Sequence, residues 1–434
     1  MKEKINLFWF RRDLRITDNH GLYRALAAGK PVLPVFIFDT TILNDLEDDD
    51  SRVEFITDQV KSLQEEFERH NSTLWIYHGK PLNAFKRLWV EYEVEAVYSN
   101  TDYEPDARER DEQVAAFLKA HQVEFHAYKD QVIFHQNDIL KNDGKPYTVF
   151  TPYKKKWLEE FGKLELEAYP SQKLLNGLLK TEPLKAVALR DLGFRRGGLK
   201  FPSKEIDPKL LENYAANRDF PARNGTTHLG IHLRFGTLSI RSLTKKAVQH
   251  SEVFLNELIW RNFYADILWH FPHVAKRSFK PAYDYIPWIN SEKDFARWCE
   301  GTTGYPLVDA GMRQLNETGY MHNRVRMVTA SFLCKHLLID WRWGEAYFAG
   351  KLLDYELASN NGGWQWAAGT GCDAAPYFRV FNPTLQTQKF DPKFSYIRRW
   401  VPEFDGFGYP QPMVEHKMAR QRAIDTYKKA LASD

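Results

Sequence analysis

In the first 130 residues or so, apolar residues fall into short β-branched and aromatic runs, separated by stretches where they recur at helical spacing. The runs Ile5–Phe10, Val32–Phe38, Leu74–Tyr77, Ala96–Ser99 and Val123–Tyr128 predict strands. Ser51–Arg69 and Asp106–Ala120, lying between them, predict amphipathic helices. Strands alternating with helices imply a doubly wound parallel sheet, an α/β domain over residues 1–130. No GxGxxG follows the first run, which argues against a standard dinucleotide site there. Ligands on such sheets bind at the carboxyl ends of the strands, where a different chromophore could sit. Residues 131–204 lose this pattern: KNDGKPYTVFTPYKKKW and FRRGGLKFPSKE read as an interdomain connector. From 205 to 434 helical periodicity dominates and strand signals nearly vanish, so an all-α second domain is expected.

Composition sharpens this picture in two places. Aromatic residues make up 15% of the 434, and most of the 13 Trp lie between Trp260 and Trp400. A large aromatic core explains that, and so does a site for a flat cofactor or extruded bases; composition alone favours the core. The net charge of +3 is close to neutral, so a nucleic-acid partner would need local clusters of Lys and Arg. The longest apolar run, PVLPVFIF, is too short to span a membrane, and MKEKINLFWFRRDLR does not read as a signal peptide. Cys299, Cys334 and Cys372 are far apart and form no CxxC, so reduced thiols and a cytoplasmic location are expected.

Three segments carry candidate chemistry. In Asn256–Tyr264, residues Glu257, Trp260, Arg261 and Tyr264 share one helical face, as a pocket wall or as a Glu–Arg pair stabilising the helix. In Tyr320–Met327, Asn323, Arg326 and Met327 share a face; a mid-helix Asn costs propensity and suits a polar ligand. In Asp354–Trp366, paired acids precede Asn360-Asn361-Gly362-Gly363 and two indoles follow. That run permits left-handed or closely approached backbone. Gly225-Thr226-Thr227-His228-Leu229-Gly230 places hydroxyl residues at a helix start, where phosphate can bind, although that signal is weak alone.

FWFRRDLR, GTTHLG, NELIWRNFY, TGYPLVDAGMRQL, MHNRVRM and NNGGWQWAAGTGCDAAPYFRVFNP occur in order across nearly the whole chain. Together they resemble the photolyase/cryptochrome family, and most nearly its class I cyclobutane pyrimidine dimer photolyases. The resemblance implies a lyase in which light drives an electron from reduced FAD into a pyrimidine dimer, splits it, and takes the electron back. Tyr214, Thr226, Thr227, His228, Leu229 and Gly230 would hold the FAD phosphates and ribose, with Arg261 and Glu356 also at the cofactor. Arg326 paired with Asp354 would line the isoalloxazine, and Asn360 would sit beside its N5. Glu257 would bond the dimer with help from Asn323, while Trp260, Tyr264, Trp366 and Met327 wall it in. Arg218 and Arg324 would meet flanking phosphates, and Trp288, Trp341 and Trp364 match the family's electron relay.

The chain departs from the pattern at Glu356, where class I relatives usually carry Asp, and at Tyr320, where a Trp is common. After Tyr103-Glu104 it has Asp106-Ala107, so the folate positions do not carry over. A second antenna chromophore stays open between a folate, a deazaflavin, a flavin and none. The implied partner is dimer-containing DNA, with no membrane, and a monomer is expected. A signalling cryptochrome is the main alternative, but Glu257, Asn323 and Met327 together match the repair site, and only a short helical tail follows the flavin domain. A DASH-type enzyme acting on single strands is nearer. A six-four lyase is disfavoured because Met-His-Asn-Arg lacks paired histidines, and a passive FAD binder leaves the dimer-contacting set unexplained.

Overall fold

The computed structural model describes residues 3–432. Its chain divides into two compact units, one built on a sheet and the other on helices.

The first unit centres on five parallel strands: β1 (Lys4–Phe10), β2 (Val32–Phe38), β3 (Trp75–His78), β4 (Glu93–Asn100) and β5 (Glu124–Tyr128). They lie in the order β3-β2-β1-β4-β5, so the winding reverses between β1 and β4. Leu7 of β1 pairs with Leu33 on one side and Val97 on the other. Helices α1 (His20–Ala27), α2 (Ser51–Arg69), α3 (Pro81–Glu91) and α4 (Pro105–Ala120) connect the strands. The Asn19 side chain caps α1 at Leu22 N, and Asp50 caps α2 at Arg52 N, satisfying amides that the helix itself leaves unpaired. Every residue of β2 is buried, as a central parallel strand covered on both faces requires. Ile5, Leu7, Trp9, Leu33, Val35 and Val97 form the core beneath α3 and α4 residues Phe85, Leu88, Val114 and Leu118.

The boundaries differ from the sequence reading. Glu159–Lys204 and Leu229–Lys246 belong to the sheet unit, whereas Ile139–Leu158 joins the helical one with Glu205–His228 and residues 247–432. The cause is long-range pairing that leaves no periodic trace. Buried Arg241 bonds Asp18 Oδ1 at 3.0 Å and Asp130 Oδ1 at 2.8 Å, and Arg15 grips the same Asp130 carboxylate. His232 bonds Thr237 and the Pro202 carbonyl, and Phe55 packs on Phe201, His232 and Phe235. Gly236 has φ +62° and lies against the Arg12 carbonyl, so no larger residue fits there.

The second unit uses α5 (Glu252–His270), α6 (Pro306–Thr318), α7 (Asn323–Ser331), α8 (Trp341–Lys351), α9 (Leu357–Ala368) and α10 (His416–Leu431). A single π-turn, Phe332–His336, extends α7. The core packs Trp298, Leu307, Met312, Val325, Phe332, Trp341, Phe348 and Trp364. Among the described residues no helix is long and apolar enough to cross a membrane, and no cluster of three or more His, Cys, Asp or Glu could hold a metal.

Candidate cofactor and substrate cavity

The second unit forms an open-mouthed cavity of about 430 Å³, within the range of small-molecule and cofactor sites. Three of its walls come from the segments singled out in the sequence.

α5 supplies Glu257, Trp260, Arg261 and Tyr264, all on one face and all lining the cavity. Its opposite face buries Leu255, Leu258, Ile259 and Phe263, and this burial fixes the helix rotation. The within-helix Glu–Arg pair does not form. Glu257 Oε1 instead accepts from Arg218 Nη1 at 2.6 Å, and Arg261 Nη2 donates to Glu356 Oε1 at 2.7 Å. Trp260 stacks on Phe150 with centroids 3.6 Å apart, so its indole is held as a rigid wall.

α7 supplies Asn323, Arg324, Arg326 and Met327. Asn323 is not mid-helix: it is the first residue of α7, where the propensity argument carries little weight, and it sits exposed at the cavity rim. The His322 Nδ1 caps the helix by accepting from Arg324 N. Arg326 is held rigidly, its Nε donating to the Met321 carbonyl and its Nη2 to both Asp354 oxygens at 3.1 and 2.9 Å. Arg324 donates to Asp219 Oδ1 at 2.7 Å and lies 4.3 Å over the Phe390 ring.

The third wall is Asp354, Tyr355 and Glu356 with α9 residues Ser359, Asn360, Gly363, Trp364 and Trp366. Asn360–Gly363 is regular helix rather than left-handed backbone. Gly362 serves close approach instead: a Cβ there would strike the Tyr264 ring, and one at Gly344 would strike Trp364.

Some expected residues lie outside this cavity. Tyr214 sits one layer behind it, under Arg218 at 5.4 Å. Thr226 and His228 pack on Tyr320, the Thr226 hydroxyl 3.1 Å from the Tyr320 hydroxyl. Thr227 is not among the lining residues; Leu229 and Gly230 belong to the sheet unit, where Gly230 opens a five-residue helix. Trp341 is buried in the core and Trp288 packs against it.

The family model described as the FAD binding domain of DNA photolyase matches residues 254–408, and the DNA photolyase model matches 6–172. A curated relative, the deoxyribodipyrimidine photo-lyase of Synechococcus sp., is 37% identical over 98% of this chain and 97% of its own. The chain belongs to the photolyase/cryptochrome family. Among solved structures, a class III photolyase from Agrobacterium tumefaciens superposes with TM-score 0.86 at 31% identity, covering 99% of this chain and 98% of that one. An archaeal photolyase from Sulfolobus tokodaii, described with two FAD molecules and a novel light-harvesting cofactor, gives 0.78 at 34% identity, covering 98% and 99%.

Like its family, this photolyase relative has an FAD-binding domain, and the cavity fits a flat ring with polar edges. Phe348, Leu352 and Trp364 offer apolar surface beside the fixed guanidinium of Arg326. The Asn360 amide nitrogen is committed to Glu345, donating to its Oε1 at 2.8 Å and its backbone carbonyl at 3.1 Å. That leaves the Asn360 carbonyl oxygen as an acceptor for an N–H in the cavity. Glu345 was missed in the sequence because no motif marks it. A lone acid in the aromatic run WRWGEAYF was the available signal. Burial raises its carboxyl above the ordinary carboxylate range, opposed by the bond from Asn360. Asp219, the partner of Arg324, was missed as well.

Proposed function

We propose that this protein is a deoxyribodipyrimidine photolyase that repairs cyclobutane pyrimidine dimers in DNA under blue light. The observation that carries the reading is one cavity holding two kinds of residue. Arg326, Asp354 and Asn360 suit the flavin, while Glu257, Asn323 and Met327 with the Trp260 and Trp366 indoles suit a damaged base pair. FAD, when bound and reduced, supplies the electron that light drives into the dimer.

The chain's own residues do the rest. One oxygen of Glu257 is held by Arg218, and the carboxyl lines the cavity, positioned to bond the polar edge of an extruded pyrimidine. Trp260, rigid on Phe150, offers a stacking face, and Met327 an adaptable apolar contact. Photolyases as a class take their target out of the base stack. Arg326, fixed by Asp354, places positive charge where a reduced ring carries negative charge. Arg218 and Arg324 would meet the phosphates: Arg218 through the guanidinium N–H groups not used on Glu257, and Arg324 by exchanging Asp219 for a phosphate, which costs little for that partly exposed pair.

Illumination of the FAD-loaded, reduced protein with dimer-containing DNA, single- and double-stranded, tests the reading. Light-dependent return of the pyrimidines supports it. Dimers that persist while flavin is bound and reduced reject it in favour of a signalling role.

A further inference from the structure

The motif NNGGWQWAAGTGCDAAPYFRVFNP carries one acid, Asp373, and it does not line the cavity. Its Oδ2 accepts instead from the backbone N–H of Phe150 at 2.9 Å, across 223 positions of sequence. Phe150 is the first residue of the helix Phe150–Lys163, and the opening amides of a helix have no partner within it. Val149, just before it, has no side-chain oxygen to cap them. The cap therefore comes from outside the helix, where a carboxylate also meets the positive end of the helix dipole.

What this cap holds is a ring. Phe150 is 7% exposed and does not line the cavity, but its ring lies flat on Trp260, with centroids 3.6 Å and planes 6° apart. It also meets Phe263 edge-on at 5.7 Å. One face of the Trp260 indole is thus covered and its plane set, which leaves its other side to the cavity. Tyr153 and Trp157, on the same helix face as Phe150, hold α5 as well. The Tyr153 hydroxyl donates to Asp266 Oδ2 at 2.7 Å, and Trp157 Nε1 donates to Asn262 Oδ1 at 3.1 Å. The other end of this strap is equally firm. α9, which carries Trp366, ends at Gly369 in left-handed backbone, φ +91°. The amides of Gly369, Thr370 and Gly371 all donate to the Gln365 carbonyl, at 2.9, 3.0 and 3.2 Å. Gln365 Nε2 in turn donates to the Val274 carbonyl at 3.0 Å. Asp373 is therefore fixed relative to Trp366 and, through Phe150, to Trp260.

We propose that Asp373 is a positioning residue for lesion recognition: acting through Phe150, it fixes the plane of Trp260 against Trp366 and so sets the preference for dimer-containing over undamaged DNA. The inference rests on the reading of the cavity as a dimer site. A cyclobutane ring locks two pyrimidines at an angle, so two indole walls match the pair only while their own angle is held. An intact base is flat and stacks on a single wall. A Trp260 free to tilt would still accept one base but would lose its fit to the joined pair, because its order would have to be restored on binding.

Binding titrations in the dark test this, with the FAD-loaded protein and an oligonucleotide carrying one cyclobutane thymine dimer or none. Asp373→Ala should lower the affinity ratio of dimer to undamaged DNA by about tenfold, the loss of about one aligned aromatic pair. Asp373→Asn keeps an oxygen for the Phe150 amide and should restore most of the ratio. Phe150→Leu keeps an apolar side chain without the stacked ring; it should match Asp373→Ala, and it decides the case if that variant does not fold. Neither change should add to the loss caused by Trp260→Ala, because all three act through one indole. FAD content and affinity for undamaged DNA should stay as in the unmodified protein. An undiminished ratio in Asp373→Ala or Phe150→Leu overturns the proposal, and so does a loss that adds in full to that of Trp260→Ala. An unmodified protein with no preference for dimers rejects the dimer reading itself, a failure visible before any variant is made.

Discussion

Glu257 offers the sharpest single perturbation of the proposed repair site. It lines the cavity and accepts from Arg218 Nη1 at 2.6 Å, between side chains 22% and 28% exposed. At an effective dielectric near 20, unit charges about 4 Å apart attract by about 4 kcal/mol before desolvation and salt reduce it. That attraction orients the carboxyl toward the cavity. A pre-placed polar group facing charge that develops in a reaction is worth about 3–4 kcal/mol in a closed site. This cavity is open enough to lower that to about 2 kcal/mol, a factor of about 30 in the rate of ring splitting. Because splitting competes with return of the electron, Glu257→Ala should reduce pyrimidines restored per absorbed photon at saturating DNA. FAD content should stay unchanged, since Arg326, Asp354 and Asn360 lie on other walls. Arg218→Ala and the double variant separate orientation from contact. Loss in Glu257→Ala alone marks contact with the dimer, and equal loss in all three marks the ion pair as the active element. A yield unchanged in Glu257→Ala refutes the role.

Trp288→Phe keeps most of the packing against Tyr427 but removes a readily oxidised indole, so light-driven reduction of oxidised FAD should be lost while repair by pre-reduced protein continues. Photoreduction at the unmodified rate would remove Trp288 from the relay. Arg324→Ala should weaken DNA binding equally across sequences and flatten its salt dependence by about one counterion. An unchanged slope with lower thermal stability would make Arg324 a structural partner of Asp219 and Phe390. His322 is buried and caps α7 as a neutral acceptor; burial and the nearby Arg326 push it down from 6.5 to about 4. Its depressed value gives stability present above pH 6.5 and lost as pH falls toward 4, on the order of 3 kcal/mol. Thermal melts of the protein and of His322→Asn from pH 7 to 4 should converge as the pH drops; parallel curves would contradict the assignment.

What was legible depended on whether the determining interaction was local. The β2 run VLPVFIF is a strand because both faces are covered, and Ser51–Arg69 is a helix along its whole predicted length. The pocket face of α5 followed from 3.6-residue periodicity. Pairing was not legible. Glu257 chose Arg218 over the nearer Arg261, and Leu229–Lys246 joined the sheet unit through Arg241, Asp18 and Asp130, more than a hundred residues apart. Asn360-Asn361-Gly362-Gly363 reads locally as a turn, yet packing makes it helix because Tyr264 needs the space a side chain at Gly362 would fill. Glu345 belongs to no motif, and only the folded contact with Asn360 reveals it.

The central claim is light-driven dimer repair in this cavity, and the most direct measurement is dimer content in DNA held with the reduced, FAD-loaded protein, in darkness and under blue light. The account predicts binding in both conditions and loss of dimers only in the light, with the flavin ending as reduced as it began. Dimers that remain after illumination, on DNA that is bound and beside flavin that is reduced, would contradict it.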